Sequence, residues 1–406
     1  MVGFGNVYLF GQAVNLDELV REALDNNPRL QAYKSGIQVD EARVPQAGAL
    51  PDPILSFNIL NVPATRFSFD QQAMSGKQIA LRQNIPFPGK LGLKQEIAEK
   101  NQRISSAIYE EAKQALIRDV KLAYYDLYYG DITVSTIEKD QRLLEQLVAV
   151  SEKKYTVGQG LQQDVLKAQV ELSKMHDRLI RAREARHKVV IRINTLLNRP
   201  IGQSLGHPQL PDMERPEFSR DSLQQKIQSN RSLLKVWQIR LQQSGQALDL
   251  AKKSYLPDLS LFVAYTQRDR LRNGNGGVDF LSGGISFNLP VYFWRKQDKQ
   301  VQEKVWQRER ISESYVHIQE QIRSELENVL SELEQNGSLV ELYKKGIVPQ
   351  AGQSFQAALI GYQTDRLDFL TLVNNLLTYF NFELEYNRVL TNYYKNLAQL
   401  AYVIGS

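Results

Sequence analysis

Apolar residues recur at three- and four-residue spacing over two very long stretches. In residues 89–157 the stripe includes Ile104, Ile108, Ala112, Ala115, Ala123 and Leu127, and in residues 293–361 it includes Ile311, Ile318, Ile322, Leu326, Val329 and Leu333. This period predicts helix. The first stretch holds no proline after Pro88, and the second only Pro349 after Pro290. At about 1.5 Å per residue each helix would reach roughly 100 Å. No single globular core is that wide, so such helices must lie alongside others, as in a coiled coil. Shorter helices are predicted at 16–48, 164–198, 217–254 and 366–402. Asn15 is placed to cap the first, with Asp17 and Glu18 in its opening turn. The lengths match if each long helix runs antiparallel to two stacked shorter ones, 164–198 with 217–254 and 366–402 with 16–48.

Between the helices the period changes to two. Leu55, Phe57 and Ile59 alternate with Ser56 and Asn58; Ile79, Leu81 and Ile85 oppose Gln78, Arg82 and Asn84. Later, Leu259, Leu261, Val263 and Tyr265 share one face, and Ile285, Phe287 and Leu289 oppose Ser286 and Asn288. Four strands with one apolar face are predicted, at about 53–62, 76–86, 257–268 and 278–290.

The chain repeats itself at an offset of about 206 residues. Leu50-Pro51-Asp52 returns as Leu256-Pro257-Asp258, and Asn84-Ile85-Pro86 as Asn288-Leu289-Pro290. Tyr155-Thr156-Val157-Gly158 with Asp164-Val165-Leu166 returns as Tyr362-Gln363-Thr364-Asp365 with Asp368-Phe369-Leu370. The fold class that follows is mainly α with a small β part, a duplicated helix–strand–strand–long helix–helix unit. Repeat 1 is expected over 15–198 and repeat 2 over 217–402. A linker rich in Pro and Gly occupies 199–216 and a short tail 403–406. Residues 1–13 are apolar and end in Gly11-Gln12-Ala13, like the tail of a secretory leader without its basic start, so 1–14 is expected to be a leader remnant or an N-terminal arm.

Composition narrows the function. The net charge of +5 is small for 406 residues and the basic residues are interleaved with acidic ones, which argues against a nucleic-acid partner. There is no cysteine, hence no disulfide and no thiolate chemistry. No apolar run is long enough for a membrane-spanning helix, so a membrane role would fall to the strands. Four strands cannot close a membrane barrel, whose smallest examples have about eight. Several copies would have to share one, because an open sheet edge is not tolerated in lipid. His176, His187, His207 and His317 include no pair at i, i+3 or i+4, and the methionines do not cluster. No metal site is expected, and no cofactor. The nucleotide-loop, nucleophile-elbow and zinc-protease motifs are all missing, so no enzyme is expected.

The two Leu-Pro-Asp junctions, the strand–Pro–long helix junctions and the paired Tyr-x-x-Gly…Asp-Val-Leu turns resemble the TolC family of outer-membrane efflux proteins, over about residues 15–402. The stretch from Tyr155 to Gln169 is particularly close. Pro86-Phe87-Pro88-Gly89-Lys90 is similar to the branch that serves heavy-metal and cation pumps. The resemblance implies a homotrimer in the outer membrane of a Gram-negative bacterium. Its parts would be a shared β-barrel of twelve strands, four per subunit, and an α-helical barrel extending far into the periplasm. It implies, as partners, outer-membrane lipid, a periplasmic adaptor and an inner-membrane transporter of the RND type. The cargo implied is metal cations or small toxic compounds. Drug or polypeptide export by the same fold stays open, and a soluble coiled-coil scaffold is a remote rival.

By the same resemblance the periplasmic gate lies at the two helical turns. Tyr362, Arg366, Asp368 and, in the first turn, Asp164 match positions that close or line it. Opposite charges and a phenol there would form a charge-assisted latch. Asp365 stands where a glycine is usual; Asp tolerates left-handed backbone and adds a second carboxylate that would favour cations. Capping or turn roles are the plainer reading of Asp164, Asp365 and Asp368. Val157, Gly158 and Leu161, with Leu367 as counterpart, are expected to face the adaptor, or else to pack their own turn. Aromatics near the strands, among them Phe57, Phe262, Tyr265, Phe280 and Trp294, fit the girdles of a membrane barrel.

Overall fold

The computed structural model describes residues 14–216 and 218–406. The expected leader or arm lies outside these, except for Val14. The described residues form two units, one built from 33–108 and 233–318, the other from 14–32, 109–232 (without 217) and 319–406.

The first of these units carries an antiparallel sheet of β1 (Ile54–Leu60), β2 (Gly76–Ile85), β3 (Leu259–Gln267) and β4 (Phe280–Phe287), in that spatial order. Each half of the sequence supplies a hairpin, and β2 joins the two by pairing with β3 from Lys77↔Gln267 to Ile85↔Leu259. Only β1 and β4 have a free edge within the chain. The registers keep odd-numbered residues together. Leu55, Leu81, Val263 and Gly283 form one cross-strand row and Phe57, Ile79, Tyr265 and Leu281 the next. Side chains of this apolar face are open to the surroundings, with Phe57 73% and Leu281 77% exposed. Even-numbered residues form the other face, with Ser56, Ala80, Ala264 and Ser282 in one row.

The repeated motifs at the sheet's base hold each other. Asp258 accepts hydrogen bonds from the Phe87 N–H at 2.7 Å and from Lys90 Nζ at 2.8 Å, and Lys90 Nζ also donates to the Leu256 carbonyl. The Asp258 N–H in turn donates to the Asn288 side chain. Leu-Pro-Asp of the second half is thereby clamped to Pro-Phe-Pro-Gly-Lys of the first.

Helices α1 (Leu16–Asn26) and α2 (Pro28–Gly48) correct the expectation of one helix over 16–48. Asn27 separates them. Its N–H ends α1 on the Ala23 carbonyl, while its Oδ1 accepts from the N–H groups of Arg29 and Leu30 and so caps α2. A residue before proline avoids helical geometry, which fixes the break. The second half breaks likewise at Arg231, between α5 (Arg220–Asn230) and α6 (Ser232–Lys252). The pieces are 11 and 21 residues long in both halves.

The long helix α3 (Lys90–Thr156) is uninterrupted for 67 residues. Its partner stretch is not: α7 (Gln297–Leu342) gives way to one π turn, Tyr343–Ile347, before α8 (Val348–Gln363). Pro349 is the cause. Its ring would crowd a carbonyl one turn back and it has no N–H to give, so the helix widens there. α4 (Gln162–Leu196) follows α3 and α9 (Phe369–Ile404) follows α8. One core, around Leu144, Met175, Phe369, Leu372 and Phe380, joins α3, α4, α8 and α9 near their turns. A second, around Leu19, Val120, Leu127, Ile193 and Tyr394, includes α1.

Candidate functional site

The two turns of the helical unit are the same backbone motif. At the end of α3 the Gln159 N–H reaches the Lys154 carbonyl at 2.8 Å and the Gly158 N–H reaches that of Tyr155 at 3.0 Å. At the end of α8 the Arg366 N–H reaches the Gly361 carbonyl at 2.8 Å and the Asp365 N–H that of Tyr362 at 3.3 Å. Both are Schellman closures, which need one left-handed residue. Gly158 fills that place with φ +77° and Asp365 with φ +55°. A side chain at such a φ costs about 1 kcal/mol or more, least for Asp and Asn.

Lys154 joins the two turns. Its side chain is only 17% exposed. Nζ donates to the Tyr362 carbonyl at 2.9 Å and to the Asp365 carboxylate, and lies 4.2 Å from the centre of the Tyr362 ring. Tyr362 is buried edge-on against Phe369. Burial raises the pKa of its phenol, and the charges of Asp164 and Asp365 raise it further. The structure therefore brings Tyr362 and Asp365 together, with Asp164 close enough to act on the phenol.

Arg366 and Asp368 stand apart from this cluster. Arg366 is exposed and has no ion pair among the described residues, so the cation beside the tip carboxylate is Lys154. Lys153 and Lys154 in the last turn of α3 both suit the negative end of a helix, and nothing local marks which of the two pairs across to the other turn. Asp368 caps α9, accepting from the Thr371 N–H and Oγ1 at 2.8 Å each. Those bonds, the backbone one foremost, hold its carboxyl below the usual range. Asp164 lies half-buried in the first turn of α4, where Leu161 takes the cap position. Val157 and Leu161 are exposed, and nothing lies near where a Gly158 side chain would point. Leu367 differs from them, packing half-buried on the core below the turn.

A buried acid lies deeper in the same core. Asp140 on α3 is 1% exposed and neither carboxylate oxygen has a hydrogen-bond partner. Burial pushes its pKa up to about 7, helped by Glu383 on α9 and opposed by Lys139. A lone acid in a mixed-charge helix has the sequence signature of a solvated one, so nothing local marks its burial.

Among the described residues no helix is long and apolar enough to cross a membrane, and no group of three or more His, Cys, Asp or Glu side chains is placed to hold a metal. The exposed apolar face of the sheet is the odd-numbered one. Phe57 and Tyr265 lie on it, whereas Phe262, expected in a girdle, is mid-strand on the even-numbered face.

A family model described as "Outer membrane efflux protein" matches residues 19–199 and 223–406. The chain is 19% identical, over 97% of its length and 90% of that protein's, to the cobalt-zinc-cadmium resistance protein CzcC of Cupriavidus metallidurans. Its fold is that of the outer membrane protein VceC from Vibrio cholerae, with a TM-score of 0.81, 16% identity and 96% of each chain covered. The Neisseria gonorrhoeae MtrE outer membrane channel is as similar, at a TM-score of 0.80 and 16% identity, with 100% of this chain and 96% of that one covered.

Proposed function

Because the chain belongs to the outer membrane efflux protein family, a family of ducts and not of enzymes, we propose that three copies close one twelve-stranded barrel in the outer membrane. In this reading the paired helices of the three copies continue the barrel into the periplasm. One observation carries it: a four-stranded sheet with an outward apolar face and two free edges. Such edges are not tolerated in lipid, and a neighbour's β4 beside β1 would satisfy both.

The tips are the proposed gate. Lys154 ties α3 to the α8 turn through Tyr362 and Asp365, while the exposed Arg366 would meet another copy and Asp368, also exposed, stays engaged as the cap of α9. Val157, Gly158 and Leu161 offer an open surface to a periplasmic adaptor, behind which an inner-membrane pump of the RND type would supply the energy. The likeness to a cobalt-zinc-cadmium resistance protein supports divalent metal cations as cargo. They would pass as cargo, not as residents.

The test is direct. The purified chain in detergent should have the mass of three copies and should form discrete ion channels in planar bilayers. A monomeric mass with no conductance would overturn the duct. Expressed with its own pump and adaptor, it should raise tolerance to zinc, cobalt and cadmium salts. Unchanged metal tolerance alongside restored dye export would overturn the cargo and leave the duct standing.

A further inference from the structure

We propose that Arg82 makes the lumen of the barrel favour anions, forming a ring of three positive charges; this rests on the three-copy barrel above. The four strands hold only two charged residues, Lys77 and Arg82. Lys77 sits near a strand end on the apolar face, paired with Asp269 at 3.5 Å and lying over the Phe69 ring. Arg82 is mid-strand on the opposite face, the one that turns inward when the apolar face meets lipid. It has no carboxylate partner among the described residues, and no acidic residue lies in any strand to offset it.

The guanidinium is held in place. Ile54, Arg82, Phe262 and Gly284 form one cross-strand row. The Phe262 ring lies over Gly284 so closely that a methyl there would overlap it. Arg82 leans on the same ring, with Cζ 5.9 Å from its centre, within cation–π range. The missing side chain at 284 thus seats the ring, and the ring props the charge against the wall without neutralising it.

In a closed barrel the three copies of this row stand at one height. Twelve strands about 4.8 Å apart and tilted by about 40° give a backbone radius of roughly 12 Å. Any ion passing inside therefore comes within about one Debye length of the guanidinium groups at 0.1 M salt. A ring of one sign in a narrow aqueous lumen excludes ions of that sign. The expected effect is an anion-to-cation permeability ratio about fivefold higher than without the charges, fading near 1 M salt. The acidic tips would act oppositely, so the two contributions are separable by the direction of their effect. A fixed ring is the same barrier in both directions, so cations would leave past it only as far as the pump drives them.

The experiment is the reversal potential of single channels across a KCl gradient near 0.1 M. Arg82→Gln and Arg82→Met should both move it toward the potassium equilibrium potential by the amount of a fivefold permeability change. Arg82→Lys should keep the wild-type value, and the difference should vanish near 1 M. One polar and one apolar neutral side chain are used so that one poorly folding variant does not decide the matter. Channels of normal frequency whose reversal potential stays at the wild-type value in either neutral variant would overturn the ring alone. A wild-type chain that forms no channel would remove the barrel and the ring with it.

Discussion

The ammonium group of Lys154 replaces three contacts with water by three within the protein: a carbonyl, a carboxylate and an aromatic face. The carbonyl bond is the more sheltered, because Asp365 is 67% exposed while Lys154 is not. A charged hydrogen bond of this kind is worth about 2 kcal/mol. Lys154→Met is therefore expected to loosen the α3–α8 contact, raising open-channel time in bilayers several-fold, with Lys154→Arg intermediate. Unchanged gating in Lys154→Met would remove Lys154 from the latch. Asp140 makes the opposite contribution. Its pKa of about 7 lies above the ordinary 3.8, so the protonated form suits the fold and the ionised form opposes it. The favourable state is complete below about pH 4 and is lost as pH rises toward and through 7. Across the span from 3.8 to about 7 the ionised form costs on the order of 4 kcal/mol. Asp140→Asn should raise the heat-unfolding midpoint by several degrees at pH 8, by clearly less at pH 5 and by little at pH 3.5; an equal gain at all three would show that Asp140 does not titrate there. Of these residues Asp365 was legible, since a Tyr-x-x-Gly turn with Asp at its fourth place states the left-handed requirement outright. Lys154 and Asp140 were not, because pairing across helices and burial have no local sequence mark.

At the scale of elements, the break at Asn27 is held by both ends of one side chain. Oδ1 caps α2 while Nδ2 donates to the Leu196 carbonyl at the end of α4, 2.9 Å away. Asn27→Ala removes a cap and strands a part-buried carbonyl, a loss of about 2 kcal/mol. It should lower the denaturant midpoint, and Asn27→Asp, which keeps the cap alone, should recover about half. Equal loss in both would assign the effect to the Leu196 bond. Periodicity foretold these helices but not their interruptions. The apolar stripe of 16–48 continues across Asn27, and only the Asn-Pro pair marks the change. Pro349 is similar: it announces trouble in the helix, yet whether a kink, a stop or a widened turn results depends on packing beyond the local sequence.

For the whole molecule the strand pattern was the most informative signal, because period-two alternation assigns every side chain to one of two faces at once. It placed Phe57, Leu81, Val263 and Ile285 together before any contact was known, and the registers agree. What it could not supply was the order of the strands. The pairing of β2 with β3 joins residues some 180 positions apart, and nothing local announces it. The duplication leaves a further consequence at the tips. The left-handed site admits few side chains, and of these aspartate is one base change from glycine, whereas asparagine is two. The half with aspartate can therefore lose its tip carboxylate in a single mutational step without redrawing the turn, and the half with glycine can gain one in a single step from a glycine codon that ends in a pyrimidine. In the proposed three-copy duct that one base would become three charges at its mouth. Charge at that proposed mouth would accordingly be among the properties this protein can alter fastest, with Gly158 and Asp365 as its two settings within one chain.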